Sequence, residues 1–107
     1  MTHSGIFNIL KSAGIPFAYH HFSEPQKLPF GAWGVSGEPD LLADDTHYAG
    51  ITSAYVELYS EKKDQKNENK IKKVLSDNEI DYAFEYEAYI ESEKMFVVRW
   101  SIQFIGG

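Results

Sequence analysis

The sequence predicts an α+β fold: a mainly antiparallel sheet with two helices packed on one face, in the order α-β-β-β-α-β-β. Three observations predict it. "MFVVRWSIQFI" near the end alternates apolar and polar side chains with period two, and Thr46 to Ser60 does the same. Two stretches have helical spacing with a single apolar side, which suits helices lying on a sheet. The last hairpin joins two alternating runs through a short polar turn, so the sheet is mainly antiparallel.

In "SGIFNILKSAGIP", Ile6, Phe7, Ile9 and Leu10 share one side of a helix of about ten residues. Ser4 or Thr2 could cap its start, and Gly14 followed by Pro16 stops it. "FAYHHF" reads as a strand, with Phe17, Tyr19 and His21 alternating against Ala18, His20 and Phe22. Pro25 and Pro29 interrupt the segment after it. "FGAWGVSG" is a second strand, whose three glycines suggest a bulge, a strong twist or a close backbone approach; Phe30 and Trp33, out of step for one face, also fit a bulge. The acidic stretch "EPDLLADDTHYAG" is turn-rich, with Leu41 and Leu42 in its middle.

In the third strand Thr52, Ala54, Val56 and Leu58 form the core face, and Ile51, Ser53, Tyr55, Glu57 and Tyr59 the other. "SEKKDQKNENK" begins as a polar loop. Asp64 is the expected N-cap of a helix over 64–77, with Ile71, Val74 and Leu75 as its apolar stripe and Glu68 paired to Lys72. The closing hairpin places Tyr82, Phe84, Tyr86 and Ala88 on one face, turns at "ESEK", and sends Phe96, Val98, Trp100, Ile102 and Phe104 inward.

The chain has 107 residues, of which 43% are hydrophobic and 15% aromatic, enough for a core and for a single domain over 1–107. A domain of this size buries only ~60–70% of its unfolded surface, so assembly with neighbours would help it. The net charge of -6 argues against a general nucleic-acid binder, which needs a basic surface for phosphates. The absence of cysteine excludes disulfides and thiolate chemistry. With no signal-peptide pattern and no apolar run long enough to span a bilayer, a soluble intracellular chain is expected.

Chemistry has little to stand on. His20 and His21 would point to opposite faces of a strand, and His3 and His47 are isolated, so no metal-ligand spacing exists. Glu85 and Glu87 would share a strand face, a geometry open to acid–base work or a hard cation, although a solvated sheet face produces such pairs routinely. Asp40, Asp44 and Asp45 do not fit a calcium loop, and no nucleophile or phosphate-binding motif appears. The terminal "FIGG" suggests a Gly-Gly modifier, but the strand pattern runs almost to Gly106 and Gly107 and leaves little free arm. Tyr55, Tyr59, Tyr86 and Tyr89 could line a contact surface, since Tyr is enriched at interfaces.

The segments "SGIPFAYHHF", "YVELYSEKKD" and "IKKVLSDNEIDYAFEYEAYIESEKMFVVRWSIQF" together resemble a family of small proteins from phages and prophages of Gram-positive bacteria, encoded among head–tail joining and tail genes. That family is similar to the tail terminator, or tail completion, proteins of long-tailed phages. The resemblance implies a structural, non-enzymatic protein without metal or cofactor, found in the virion neck and in the host cytoplasm during assembly. It implies a self-assembled ring, commonly hexameric, that ends tail-tube growth. The ring would contact the tail tube protein and the head connector protein while DNA passes through unbound, with no membrane involved. Leu41, Leu42, Tyr55 and Tyr59 are the expected interface residues. The rivals are another neck component such as a head-completion protein, a Gly-Gly modifier, and a small hydrolase or metal binder.

Overall fold

The computed structural model describes residues 3–24, 26–37 and 51–105. The protein is α+β, and among the described residues it has a five-stranded sheet in the order β1-β2-β3-β5-β4 and two helices. The chain runs α1 (His3–Lys11), β1 (Phe17–Tyr19), β2 (Phe30–Gly37), β3 (Ile51–Ser60), α2 (Gln65–Asp77), β4 (Asp81–Ile90) and β5 (Met95–Ile105). Of these strands β1 and β2 pair in parallel, and β2 with β3, β3 with β5 and β4 with β5 pair antiparallel.

Helix α1 forms where Ile6 and Leu10 recur at i,i+4. Both are fully buried, with Phe7 and Ile9 packed at their sides. Ser4 lies inside the helix, so it is not the cap, and Thr2 is outside the described residues. Gly14, at φ 84, turns the chain out of the helix. Helix α2 starts where expected: the Asp64 carboxylate accepts from the Asn67 backbone N–H at 3.2 Å. Its stripe buries Ile71 and Leu75, and Ile80 follows beyond the helix end. Glu68 does not pair with Lys72. It is buried on the inner side of the first turn, where Lys63 Nζ reaches Glu68 Oε1 at 3.0 Å and Glu87 Oε1 at 2.7 Å.

Both helices cover the same face of the sheet. Trp33, Val56, Leu58, Val98, Trp100 and Ile102 form that face and are almost wholly buried with Ile6, Leu10, Ile71 and Leu75. The assignments for β3 and β5 hold, because Val56 faces Trp100 and Leu58 faces Val98. Phe17 packs over Gly31, where a Cβ would collide with the Phe17 ring.

Four details differ from the alternation alone. The first strand stops at Tyr19, because His20 has φ 67 and leaves the pleat. In β2 the expected bulge is present between Val35 and Gly37, and Gly31 and Gly34 are sites of close approach, but Phe30 and Trp33 are no sign of the bulge, since they simply lie on opposite faces of a regular stretch. In β4 the register shifts between Phe84 and Tyr86. Tyr82 and Phe84 therefore lie on the helix side, opposite Ile102 and Trp100, while Tyr86 and Ala88 lie on the open side, opposite Arg99 and Val97. Glu85 and Glu87 are separated for the same reason: one meets Arg99 and the other Lys63. No helix among the described residues is long and apolar enough to cross a membrane.

The core assignment has a direct check. Leu75→Ala should lower the unfolding free energy by about 2–5 kcal/mol, whereas Phe84→Ala, at a position 59% exposed, should stay within about 0.5 kcal/mol. Urea denaturation of both variants measures the contrast.

Candidate functional site

The face of the sheet away from the helices carries a connected set of polar and aromatic side chains. Tyr55, Glu57 and Tyr59 project there by the period-two rule, and Arg99 stands opposite Glu57 on β5. Arg99 Nη1 lies 3.2 Å from Glu57 Oε2, and Arg99 Nε lies 3.3 Å from Glu85 Oε1. Its guanidinium sits 4.1 Å from the centre of the Tyr55 ring. Tyr59 donates to Glu57 Oε1 at 2.8 Å. At the β1 end, His20 Nδ1 and Tyr55 Oη are 2.7 Å apart, over Gly34, where a Cβ would come within 2.7 Å of both rings. Phe30 stacks on Tyr59 at 5.1 Å, and Phe22 meets Phe30 edge-on at 5.5 Å.

Glu57 is only 8% exposed, so its charge is tolerable only because a guanidinium and a phenol satisfy it. Burial pushes the Tyr59 phenol well above its ordinary value, and its hydrogen bond to Glu57 and the Glu57 charge push it further. The Tyr55 phenol is raised by burial and then by Glu57, with Arg99 opposing. Burial disfavours the charged form of Arg99, but the hydrogen bond to Glu85 and the charges of Glu57 and Glu85 outweigh it, so the group is held above its ordinary value. These groups keep their protons and hold one another. The arrangement braces the open face of the sheet.

Two further features flank this network at opposite edges of the sheet. One is a cavity of about 360 Å³ with Ala32, Phe30 and Tyr59 as its floor and His20, His21 and Phe22 along its wall. The other is β4, an edge strand in which Asp81 to Tyr89 are exposed on both faces. It displays Tyr82, Phe84, Tyr86 and Tyr89 at 37%, 59%, 43% and 52% exposure.

Tyr55 and Tyr59, expected at an interface, are brought together on the open face, half-buried in this network. Leu41 and Leu42 lie outside the described residues, as do Asp40, Asp44, Asp45 and His47. Among the described residues no group of three or more His, Asp or Glu converges as a metal site. The alternation held no hint of Arg99 bridging Glu57 and Glu85, because its partners are remote in sequence. Exposure of β4 on both faces did have a signal. "DYAFEYEAYI" contains no Val, Leu or Ile before Ile90, unlike the two strands that build the core. Compared with protein-family models and with curated proteins, the chain finds no match in either.

Two outcomes test the network. Arg99→Met should lower stability by about 2 kcal/mol by leaving Glu57 buried without its cation, and adding Glu57→Gln should recover most of the loss. Tyr59 and Lys63 both hold their protons to higher pH when folded, from ordinary values of 10.0 and 10.5. The stability they add is complete below those values and is lost as pH rises through the folded ones. Melting temperature should therefore fall above about pH 10, and less steeply in Tyr59→Phe.

Proposed function

We propose that this chain is a structural phage protein that assembles as a ring at the head-proximal end of the tail, ends growth of the tail tube and joins the tail to the head connector. It works without catalysis or cofactor. Its partners are copies of itself, the tail tube protein and the connector protein.

The observation that carries the reading is the inequality of the two sheet edges. On one side β4 is ten residues long, aromatic and open on both faces; on the other β1 is three residues long and ends at the His20 turn. A closed ring needs head-to-tail contacts between two unlike surfaces, and a chain with one projecting edge and one blunt edge has such a pair. A strand exposed on both faces gains from a neighbour, because aromatic area buried in a contact is its main source of affinity. The resemblance to the terminator proteins supplies the place and the partners. The net charge of -6 suits a conduit through which DNA slides without sticking.

Native mass spectrometry over a concentration series, with and without Mg2+, tests this. The expected result is one closed oligomer of fixed copy number, and added protein should cap growing tail tubes. Protein that neither closes into a ring nor caps tubes would turn the assignment to another neck role.

A further inference from the structure

We infer that the ring contact is made by the aromatic edge of β4 in one copy seating in the open-face cavity, walled by His20, His21 and Phe22, of the next copy. The inference rests on the ring reading and names the two surfaces it requires.

Four observations lead to it. The sheet order places β4 at one edge, and the cavity lies towards the other, between the segment that follows β1 and the strands β2 and β3, so one copy can give and receive in the same assembly. The cavity is lined by the aromatic rings of Phe22, Phe30 and Tyr59, and those rings already pack edge-on and stacked, the geometries in which further aromatic side chains add favourably. The β4 edge presents side chains of that kind, Tyr82, Phe84, Tyr86 and Tyr89. Polar chemistry also matches. From Asp77 to Glu93 the chain carries seven acidic residues and no basic one. Asp77, Glu85 and Glu87 are tied to Lys73, Arg99 and Lys63, which leaves Glu79, Asp81, Glu91 and Glu93 to meet a cavity wall of two imidazoles, able to donate to carboxylates, against the single carboxylate of Glu24.

A second copy is therefore the occupant. The competing arrangement, β4 against β4 across a twofold axis, would bring two acidic segments together and leave the cavity empty.

The test mixes two defective proteins. Tyr86→Ala with Tyr89→Ala removes two of the four projecting aromatic side chains, and Ala32→Trp fills the cavity. His21→Glu, at an exposed position, is a second block that leaves the core untouched. Circular dichroism establishes that each variant folds, and native mass spectrometry reads the assemblies. The wild type should give the ring, and each variant alone should lose it and run as a monomer. An equimolar mixture of the β4 variant with either cavity variant should give a one-to-one dimer and nothing larger, since one intact edge and one intact cavity remain. A wild-type ring that survives in all variants overturns this contact and leaves the ring reading standing. Dimers formed by the cavity variants alone, and lost in the β4 variant, assign β4 to a twofold contact and overturn it too. A wild type that stays monomeric at every concentration and does not cap tail tubes overturns the contact and the ring reading together.

Discussion

Strand β3 lies antiparallel to β5 over ten successive residue pairs, from Ile51 facing Ile105 to Ser60 facing Phe96, and most of the structure depends on that register. On one side it gathers Ala54, Val56 and Leu58 with Ile102, Trp100 and Val98 into the surface on which both helices bury their stripes. On the other side the same register sets Glu57 against Arg99, the pair around which Tyr55, Tyr59 and Glu85 are arranged. A slip of one residue would reverse every side chain, sending apolar groups to solvent and the buried carboxylate into the core. The apolar side makes the slip costly, and the ion pair adds a second penalty on the opposite face.

The central layer was legible in the sequence because alternation in a half-buried strand is a direct image of burial. Thr52 to Leu58, Phe96 to Phe104, the Asp64 cap and the Ile71–Leu75 stripe could all be placed without coordinates. What escaped were events that change the period. A bulge beside Glu85 moves Tyr86 and Ala88 to the other face, and no residue type there announces it, since bulges need no glycine. The positive φ at His20 ends β1 early and delivers an imidazole to Tyr55. Long-range polar pairs escaped as well. Nothing local to Glu57 tells that its cation comes from a strand 42 residues further on. Of the expected interface residues, Tyr55 and Tyr59 could be placed on the open face from parity, but their hold on each other through Glu57 and Arg99 could not.

An edge such as β4 is a hazard to a lone chain, because exposed backbone and aromatic side chains template unwanted pairing. Several features blunt it. The bulge bends the strand and interrupts its hydrogen-bonding row at mid-length. Asp81, Glu85 and Glu87 add charge along it, with Glu91 and Glu93 in the adjoining turn. Glu85 and Glu87 are tied back by Arg99 and Lys63, so they stiffen the strand as well as charging it. The result is an edge that discourages flat stacking and still leaves its rings available.

The turn from Glu91 to Lys94 has a consequence in time. It joins β4 to β5 through four residues, so this hairpin can close within about 1–10 μs. β3 must instead wait for a far longer loop, carrying α2, to bring it to β5. The hairpin is thus the natural seed, and the core is laid onto its β5 side afterwards. The strand left uncovered in the finished fold belongs to the first piece to take shape, and every later step builds away from it.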